Sequence, residues 1–298
     1  MEYVKCNLCG SSEYEVVHKG LKDENIDLTK KYTSSSNVIG NDQIVRCKNC
    51  GLKYVNPRLT EKEIVSGYSE GSDELFVSQT RGRELTFKKS LKLIDKYSQK
   101  GKILDIGTAG GSFLKVAKDK LWDVEGIEPN KWLCDWALKN YGIKIKQGTL
   151  FDKKNKFKDD EFDVITLWDV LEHVADPKKT LEECNKIMKK NGLLVVNYPD
   201  IGSPVSKAMG KRWIFLLSVH LFYFDKKTIK KILNETGFDV IKIKKHFQSL
   251  SLGYLVYRMQ AYNKFLYKIG NSFVKLFHLD SLLIPYWLGQ TLVLARKR

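Results

Sequence analysis

Acidic residues are scarce where this chain is most basic. Residues 201–298 hold seventeen Lys and Arg against four Asp and Glu, a local excess of +13 within a total of +16. Apart from a generally Lys-rich proteome, such an excess points to an anionic partner: nucleic acid, a phospholipid surface or a phosphorylated acceptor. Long apolar runs are lacking too. The uncharged stretch near the middle, WIFLLSVHLFYF at 213–224, has twelve residues, whereas a membrane span needs about 20. The opening MEYVKCNLCG has no basic stretch followed by an apolar one, so no secretory signal is read there and a soluble, cytoplasmic chain is expected. Neither G-x-G-x-x-G nor G-x-x-x-x-G-K-[ST] occurs at the one glycine-rich turn, which argues against a dinucleotide or a nucleoside triphosphate there. What is present, 43% hydrophobic and 29% charged residues over 298 positions, suits one large globular domain or a domain with a small appendage.

Cysteine is sparse but patterned. Four of the six fall in matching pairs, Cys6-Asn-Leu-Cys9-Gly10 and Cys47-Lys-Asn-Cys50-Gly51. Two thiolates two residues apart reach one ion from a tight turn, and the following glycine relieves crowding where backbone amides turn toward sulfur. Cytoplasmic thiols stay reduced, and a redox pair needs no second copy, so Cys6, Cys9, Cys47 and Cys50 are expected to bind zinc in a ribbon. Four cysteines close the coordination sphere, which makes the ion structural. Cys134 and Cys184 read as small buried side chains. Between the knuckles KKYTSSSNVIGND reads as a loop or hairpin connection.

After Pro57 helical patterns appear near 60–70 and 83–97, the second carrying Phe87, Leu91, Ile94 and Tyr97 on one face. From residue 102 the chain alternates. Strands are expected at 102–106, 122–127, 143–147, 162–168 and 192–198, and helices at 111–120, 130–140 and 176–190. That pattern predicts an α/β, doubly wound, mostly parallel sheet whose ligands bind beyond the carboxyl ends of the strands. The expected division is a zinc ribbon at 1–60, a helical linker and first core helix at 61–98, and the main domain at 99–298 with an amphipathic helical insertion at about 247–288.

The glycine turn follows KILDIG. Asp105, two residues before Gly107, would repel a pyrophosphate but suits an ammonium, directly or through water, with the amino-acid group packed against backbone amides. The next strand ends in Val124-Glu125-Gly126-Ile127-Glu128-Pro129, where Glu128 is placed to accept both ribose hydroxyls. An aminoacyl group plus a ribose spells S-adenosylmethionine. At this point the sequence resembles the class I S-adenosylmethionine-dependent methyltransferases: LDIGTAGGSF is similar to their first motif, GIEPN to the second, and FDVITLWDVLEHVADP to the segment after the fourth strand. The resemblance covers roughly 83–246 and returns at GQTLVLARK. It implies a seven-stranded Rossmann-like sheet, with Asp105, Gly107, Thr108, Ala109, Gly111, Glu128, Pro129, Thr149, Leu150 and Trp168 around the cofactor. Two positions depart from the family pattern: Ala109 replaces a frequent glycine, and Thr149 stands where many members carry an acid near the adenine.

Methyl transfer from a sulfonium is an in-line displacement, accelerated mainly by holding donor and acceptor in line. A base is needed only where the acceptor must lose a proton. The fourth strand delivers Trp168, Asp169, Glu172 and His173 to the right end of the sheet, and His173 is chosen because histidine titrates near neutrality. The segment RWIFLLSVHLFYFDKKT, which in the family often covers the acceptor pocket, adds His220 and Tyr223, and Asp169 completes the catalytic candidates. Trp213, Phe222 and Phe224 are expected to pack. NYPD at 197–200 superficially resembles a motif of adenine-N6 methyltransferases but follows the wrong strand and lacks the second proline. The expected acceptor is a small molecule or a carrier-linked one, as in sugar and surface-polysaccharide pathways. An RNA methyltransferase and a non-catalytic binding module on the same fold are the competing expectations.

In the insertion, Leu255, Met259, Tyr262, Leu266, Ile269, Phe273 and Leu276 recur at spacings of four and three, which predicts one face of one helix. Lys264, Lys268 and Lys275 fall nearly opposite. Core packing or homodimerisation would bury that face; a peripheral contact with an anionic membrane would use it.

Overall fold

The computed structural model describes residues 1–20, 42–69, 71–260 and 263–298. The stretch KKYTSSSNVIGN and Tyr262 lie outside them. Three short strands come first, β1 (Tyr14–His18), β2 (Ile44–Cys47) and β3 (Lys53–Val55). The helices α1 (Glu61–Ser69) and α2 (Thr80–Ile94) follow, α2 beginning three residues before the expected position. Its expected stripe is a core face: Leu91 and Ile94 are buried with Phe87 packed beside them.

The main sheet then unfolds as β4 (Lys102–Ile106), α3 (Ser112–Lys118), β5 (Asp123–Glu128), α4 (Lys131–Tyr141), β6 (Lys146–Gln147), β7 (Phe162–Trp168), α5 (Pro177–Ile187) and β8 (Met188–Pro199). Two residues, Phe222–Tyr223, form β9; α6 (Lys226–Glu235), β10 (Phe238–Lys245) and, much later, β13 (Gln290–Lys297) complete the domain. The strand order is β10-β13-β8-β7-β4-β5-β6. The five strands from β8 to β6 run parallel, and β13 is antiparallel to both its neighbours. This is the seven-stranded, doubly wound sheet expected. The chain travels outward from β4 through β6 and returns to β7 on the other side of β4, so the order reverses between β4 and β7. A crevice opens there beyond the carboxyl ends. Local chemistry sets the helix starts: Asn130 caps α4, and Asp176 accepts from the Lys179 N–H ahead of Pro177 at the first turn of α5.

The ribbon is stitched into this domain. Its sheet is completed by β9, with Lys53 opposite Tyr223 and Tyr54 opposite Phe222. Cys6, Leu8, Leu52 and Tyr54 share one buried cluster with Leu104, Leu167 and Val196 of the main sheet. Asn7 donates to Asp176 at 2.7 Å and accepts from the Lys178 N–H at 2.9 Å, anchoring the first knuckle on the start of α5.

The insertion differs from the expected single helix. Strands β11 (Gln248–Ser251) and β12 (Leu283–Tyr286) pair antiparallel and bracket two helices, α7 (Leu252–Met259) and α8 (Lys264–Leu276). The pattern reads through the break because both helices carry apolar residues at helical spacing. Asn263 starts α8 afresh, its side chain accepting from the N–H groups of Phe265 and Leu266.

Candidate active site

Buried carboxylates surround the crevice. Asp105, the fourth residue of β4, is 1% exposed and accepts a hydrogen bond of 2.6 Å from the Thr166 hydroxyl on β7. Burial pushes it up to about 7, against the pull of its hydroxyl donors. Glu128 ends β5, and its two oxygens accept from the N–H groups of Ala109 at 2.8 Å and Asn130 at 3.0 Å. Burial raises it to about 7 as well, opposed by those two donors. Ala109 gives its amide to Glu128 from a left-handed conformation, φ 48°, which explains the family preference for glycine there. At Gly107, φ 65°, a Cβ would lie 2.7 Å from a Val170 methyl, so a side chain is excluded on two counts.

These groups line one cavity of about 450 Å³. Asp105, Gly107, Thr108, Ala109, Glu128 and Pro129 line it together with Thr149, Leu150 and Trp168. The Thr149 hydroxyl is held by Asp152 at 2.7 Å. Gly111 does not belong to that wall. It opens α3 with φ 73°, and a Cβ there would point away, toward Ala137 and Ile145.

The same cavity also brings together Asp169, Glu172, His173 and His220. Asp169 follows β7 at φ 52° and is tied by Asn197 at 2.5 Å and Gln248 at 3.2 Å. Burial raises it to about 6, opposed by Arg83. Glu172 differs: it is 1% exposed, and neither carboxylate oxygen has a hydrogen-bond partner among the described residues. Burial and the neighbouring Asp169 raise it well above the usual carboxylate range. Burial lowers His173 to about 4 and His220 well below the ordinary imidazole value. Both rings are therefore neutral at pH 7, contrary to the expectation that His173 titrates near neutrality. The Nδ1 of His173 lies 3.0 Å from the Val219 carbonyl and 2.8 Å from the Tyr68 hydroxyl; that of His220 lies 2.7 Å from the Phe215 carbonyl. A carbonyl only accepts, so each Nδ1 carries the proton and each Nε2 keeps a lone pair. One nitrogen of each ring and one oxygen of Glu172 lie within 4.8 Å of one another, close enough to hold a hydroxyl or a cation between them.

Tyr223 does not line the cavity, although its ring meets that of His220 edge-on at 6.2 Å. Its backbone pairs with the ribbon strand, and its hydroxyl donates to the Leu217 carbonyl at 3.3 Å inside a cluster with Ile44, Val55 and Trp213. Trp213, Phe222 and Phe224 pack in the interior as expected. Sequence reasoning missed His246, which stacks on Trp168 at 5.7 Å, and the cavity residues Arg83, Gln248 and Tyr254. A histidine closing the sixth strand of the sheet was the available signal for the first.

At the ribbon, Cys6 and Cys50 sulfurs lie 3.4 Å apart, those of Cys9 and Cys47 3.5 Å apart, and all four within 4.8 Å. The knuckles repeat one geometry: the Gly10 N–H donates to the Cys6 carbonyl and the Gly51 N–H to the Cys47 carbonyl, with φ 72° and 81°. Four thiols converging in this way fit a tetrahedral ion with Zn–S bonds of about 2.3 Å.

Residues 79–243, more than half of the chain, match the family model described as a methyltransferase domain. The chain belongs to that family. It is an S-adenosylmethionine-dependent methyltransferase. An uncharacterized protein of Methanocaldococcus jannaschii is 29% identical over 180 residues, 59% of this chain and 80% of its own length. The ubiquinone biosynthesis O-methyltransferases of Actinobacillus pleuropneumoniae serotype 7 and Coxiella burnetii strain Dugway are 31% and 32% identical, over 31% and 35% of this chain. The methyltransferase matches under half the length of each of those two enzymes, 43% and 47%. A solved S-adenosylmethionine-dependent methyltransferase of Archaeoglobus fulgidus shares the fold at TM-score 0.52 and 19% identity, covering 76% of this chain and all of that one. The YcgJ protein of Bacillus subtilis does so at 0.50 and 18%, covering 70% and 98%. No helix among the described residues is long and apolar enough to cross a membrane.

Proposed function

We propose that this methyltransferase transfers a methyl group to a hydroxyl of a small-molecule or carrier-linked acceptor. The observation that carries the reading is the convergence of an unpartnered buried carboxyl, Glu172, with two neutral imidazoles in the wall of the cavity that Asp105 and Glu128 also line. Asp105 would hold the ammonium of the cofactor and Glu128 its ribose hydroxyls, while Thr149 and Leu150 would border the base. When bound, S-adenosylmethionine supplies an electrophilic methyl on a sulfonium, set up for in-line displacement.

The remaining steps belong to the chain. The acceptor hydroxyl is seated between Glu172, His173 and His220, and its O–H bond breaks as the oxygen–methyl bond forms. The proton passes to an Nε2 of the histidine pair, while Glu172, held as a neutral carboxyl by burial and by Asp169, donates its O–H to the acceptor oxygen and orients it. Asp169, held by Asn197 and Gln248, positions the strand end rather than accepting the proton. The cavity walls contributed by Ile64, Val65, Ile214 and Leu217 exclude water and suit an acceptor with an apolar body. Transfer to oxygen is also what the names of the two ubiquinone-pathway relatives describe, over about a third of this chain.

The ribbon cysteines bind one structural zinc in the same reading. Metal analysis should return one zinc per chain, and Cys47→Ser should lose it; an unchanged zinc content in that variant would refute the ribbon. For the acceptor, lipid, glycan and RNA extracts incubated with isotopically labelled S-adenosylmethionine should yield label in a hydroxyl-derived methyl ether of a lipid or glycan. Label confined to RNA, with binding that weakens steeply with salt, would replace this acceptor class with nucleic acid.

A further inference from the structure

The helix α8 presents an apolar face that nothing among the described residues covers. Phe265, Leu266, Ile269, Phe273, Leu276 and Phe277 fall within one arc of about 120° at 3.6 residues per turn. Phe265 and Leu276 are 70% and 73% exposed, and the other four are about half exposed. The face is not the one by which α8 is attached. Val274 is buried at 2% on a different side, and Gly270 lets the helix approach Val256 of α7, whose methyl would be 3.2 Å from a Cβ at that glycine. The expectation that the stripe buries itself in the core is therefore not met.

We infer that α8 docks on the surface of an anionic lipid bilayer, its apolar face in the boundary between headgroups and acyl chains. Charge decides among the occupants. Residues 247–288 contain Arg258, Lys264, Lys268 and Lys275 against a single acid, Asp280. Lys264, Lys268 and Lys275 lie on the side of α8 nearly opposite the centre of that face, so the helix lying flat holds them on its solvent side, from which their long stems can bend toward the headgroups. A second copy of the chain would bring its own +13 last third against this one, and like charges facing one another oppose such an interface. Juxtamembrane Lys and Arg instead gain from anionic headgroups. Length sets the depth: α8 has thirteen residues, too few to span, so the helix lies on the membrane. The partner helix α7 also walls the active-site cavity through Tyr254, Leu255, Arg258 and Met259. Docking would thus hold the cavity beside the bilayer, within reach of a lipid-carried acceptor.

Vesicle binding requires neither cofactor nor acceptor, so its outcome is independent of the catalytic reading. The full chain is sedimented with vesicles of phosphatidylcholine alone and of phosphatidylcholine mixed with phosphatidylglycerol. Assays run at low salt and at about 0.5 M salt, where the Debye length falls to ~4 Å. The chain should pellet with the anionic vesicles at low salt, at least about tenfold less with neutral ones, and be released by salt. The double variant Phe265→Glu, Phe273→Glu should stay in the supernatant while binding S-adenosylmethionine with unchanged affinity, which reports an intact fold. Absence of the wild type from both pellets, or equal pelleting of the variant, would overturn the inference. A lipid-free dimer by light scattering that the same double variant dissociates would assign the face to a second copy instead.

Discussion

The cavity treats its buried carboxyls in two opposite ways. Asp105 is held by Thr166 and Glu128 by two main-chain N–H groups. By contrast, Glu172 is equally buried, and its carboxyl oxygens have no hydrogen-bond partner among the described residues. A carboxylate whose oxygens are already fixed by the scaffold is preorganised for a ligand that is the same at every turnover. An unpartnered one costs free energy until something arrives to complete it. Hydrogen-bond donors around Asp105 and Glu128 also come from the sheet and its first turns, which every strand-to-helix crossover supplies. Glu172 and His220 meet only because β9 and the loop before it fold back over β7, with the Leu221 and Phe222 N–H groups donating to the Glu172 carbonyl.

The contrast is broken most severely at Glu172 and His220. Glu172→Gln or His220→Asn should lower kcat by roughly two orders of magnitude or more, the scale of general acid–base catalysis. The affinity for S-adenosylmethionine should stay within about twofold. Single-turnover kinetics beside calorimetry check this, and loss of cofactor affinity in both variants would show that the two groups of residues are not separable. At Asp105 and Glu128 the effect is smaller and appears in binding. Asp105→Ala and Glu128→Ala should each weaken S-adenosylmethionine by one to two orders of magnitude, about 1.5 to 3 kcal/mol for a charge-assisted hydrogen bond. Unchanged affinity in both would remove the roles given to them.

The smallest effect is in pH. Asp105 and Glu128 are both raised to about 7 by burial. A carboxyl raised in the folded state contributes stability below its ordinary value near 4, and that stability is lost as pH rises through about 7. Measured against Asp105→Asn, in which the opposing contributions of the buried His173 and His220 cancel, the melting temperature of the cofactor-free protein should therefore fall between about pH 4 and 7. The cationic cofactor prefers the ionised carboxylates, so its affinity should rise up to several-fold between about pH 6 and 8 with release of protons. Calorimetry in buffers of different ionisation enthalpy measures those protons, and Asp105→Asn should reduce their number.

Much of this was legible locally. The knuckles announce themselves because two thiols and a glycine must sit at fixed spacing to reach one ion. The alternation of apolar runs and amphipathic stretches gave β4, β7 and α4 to within a residue or two, since period and capping are local properties. Asp105 and Glu128 were readable because each ends or nearly ends a strand, where the fold presents its ligands. Other assignments failed for one reason. Tyr223 and His220 stand three residues apart, and sequence gave both the same claim on the pocket; only the pairing of β9 with the ribbon strand β3 turns Tyr223 into the interior. His173 looked like a neutral-range titrating group until its burial beside His220 was known.

Sequence by itself determined the sheet, the four-cysteine cluster and the positions of Asp105 and Glu128 at strand ends, because each follows from spacing within a few residues of chain. Tertiary structure alone decided which acid lacks a partner, which histidines face each other and whether the apolar stripe of the insertion is buried. Those depend on contacts between segments tens of residues apart, where desolvation and pairing are set by whatever neighbour the fold delivers.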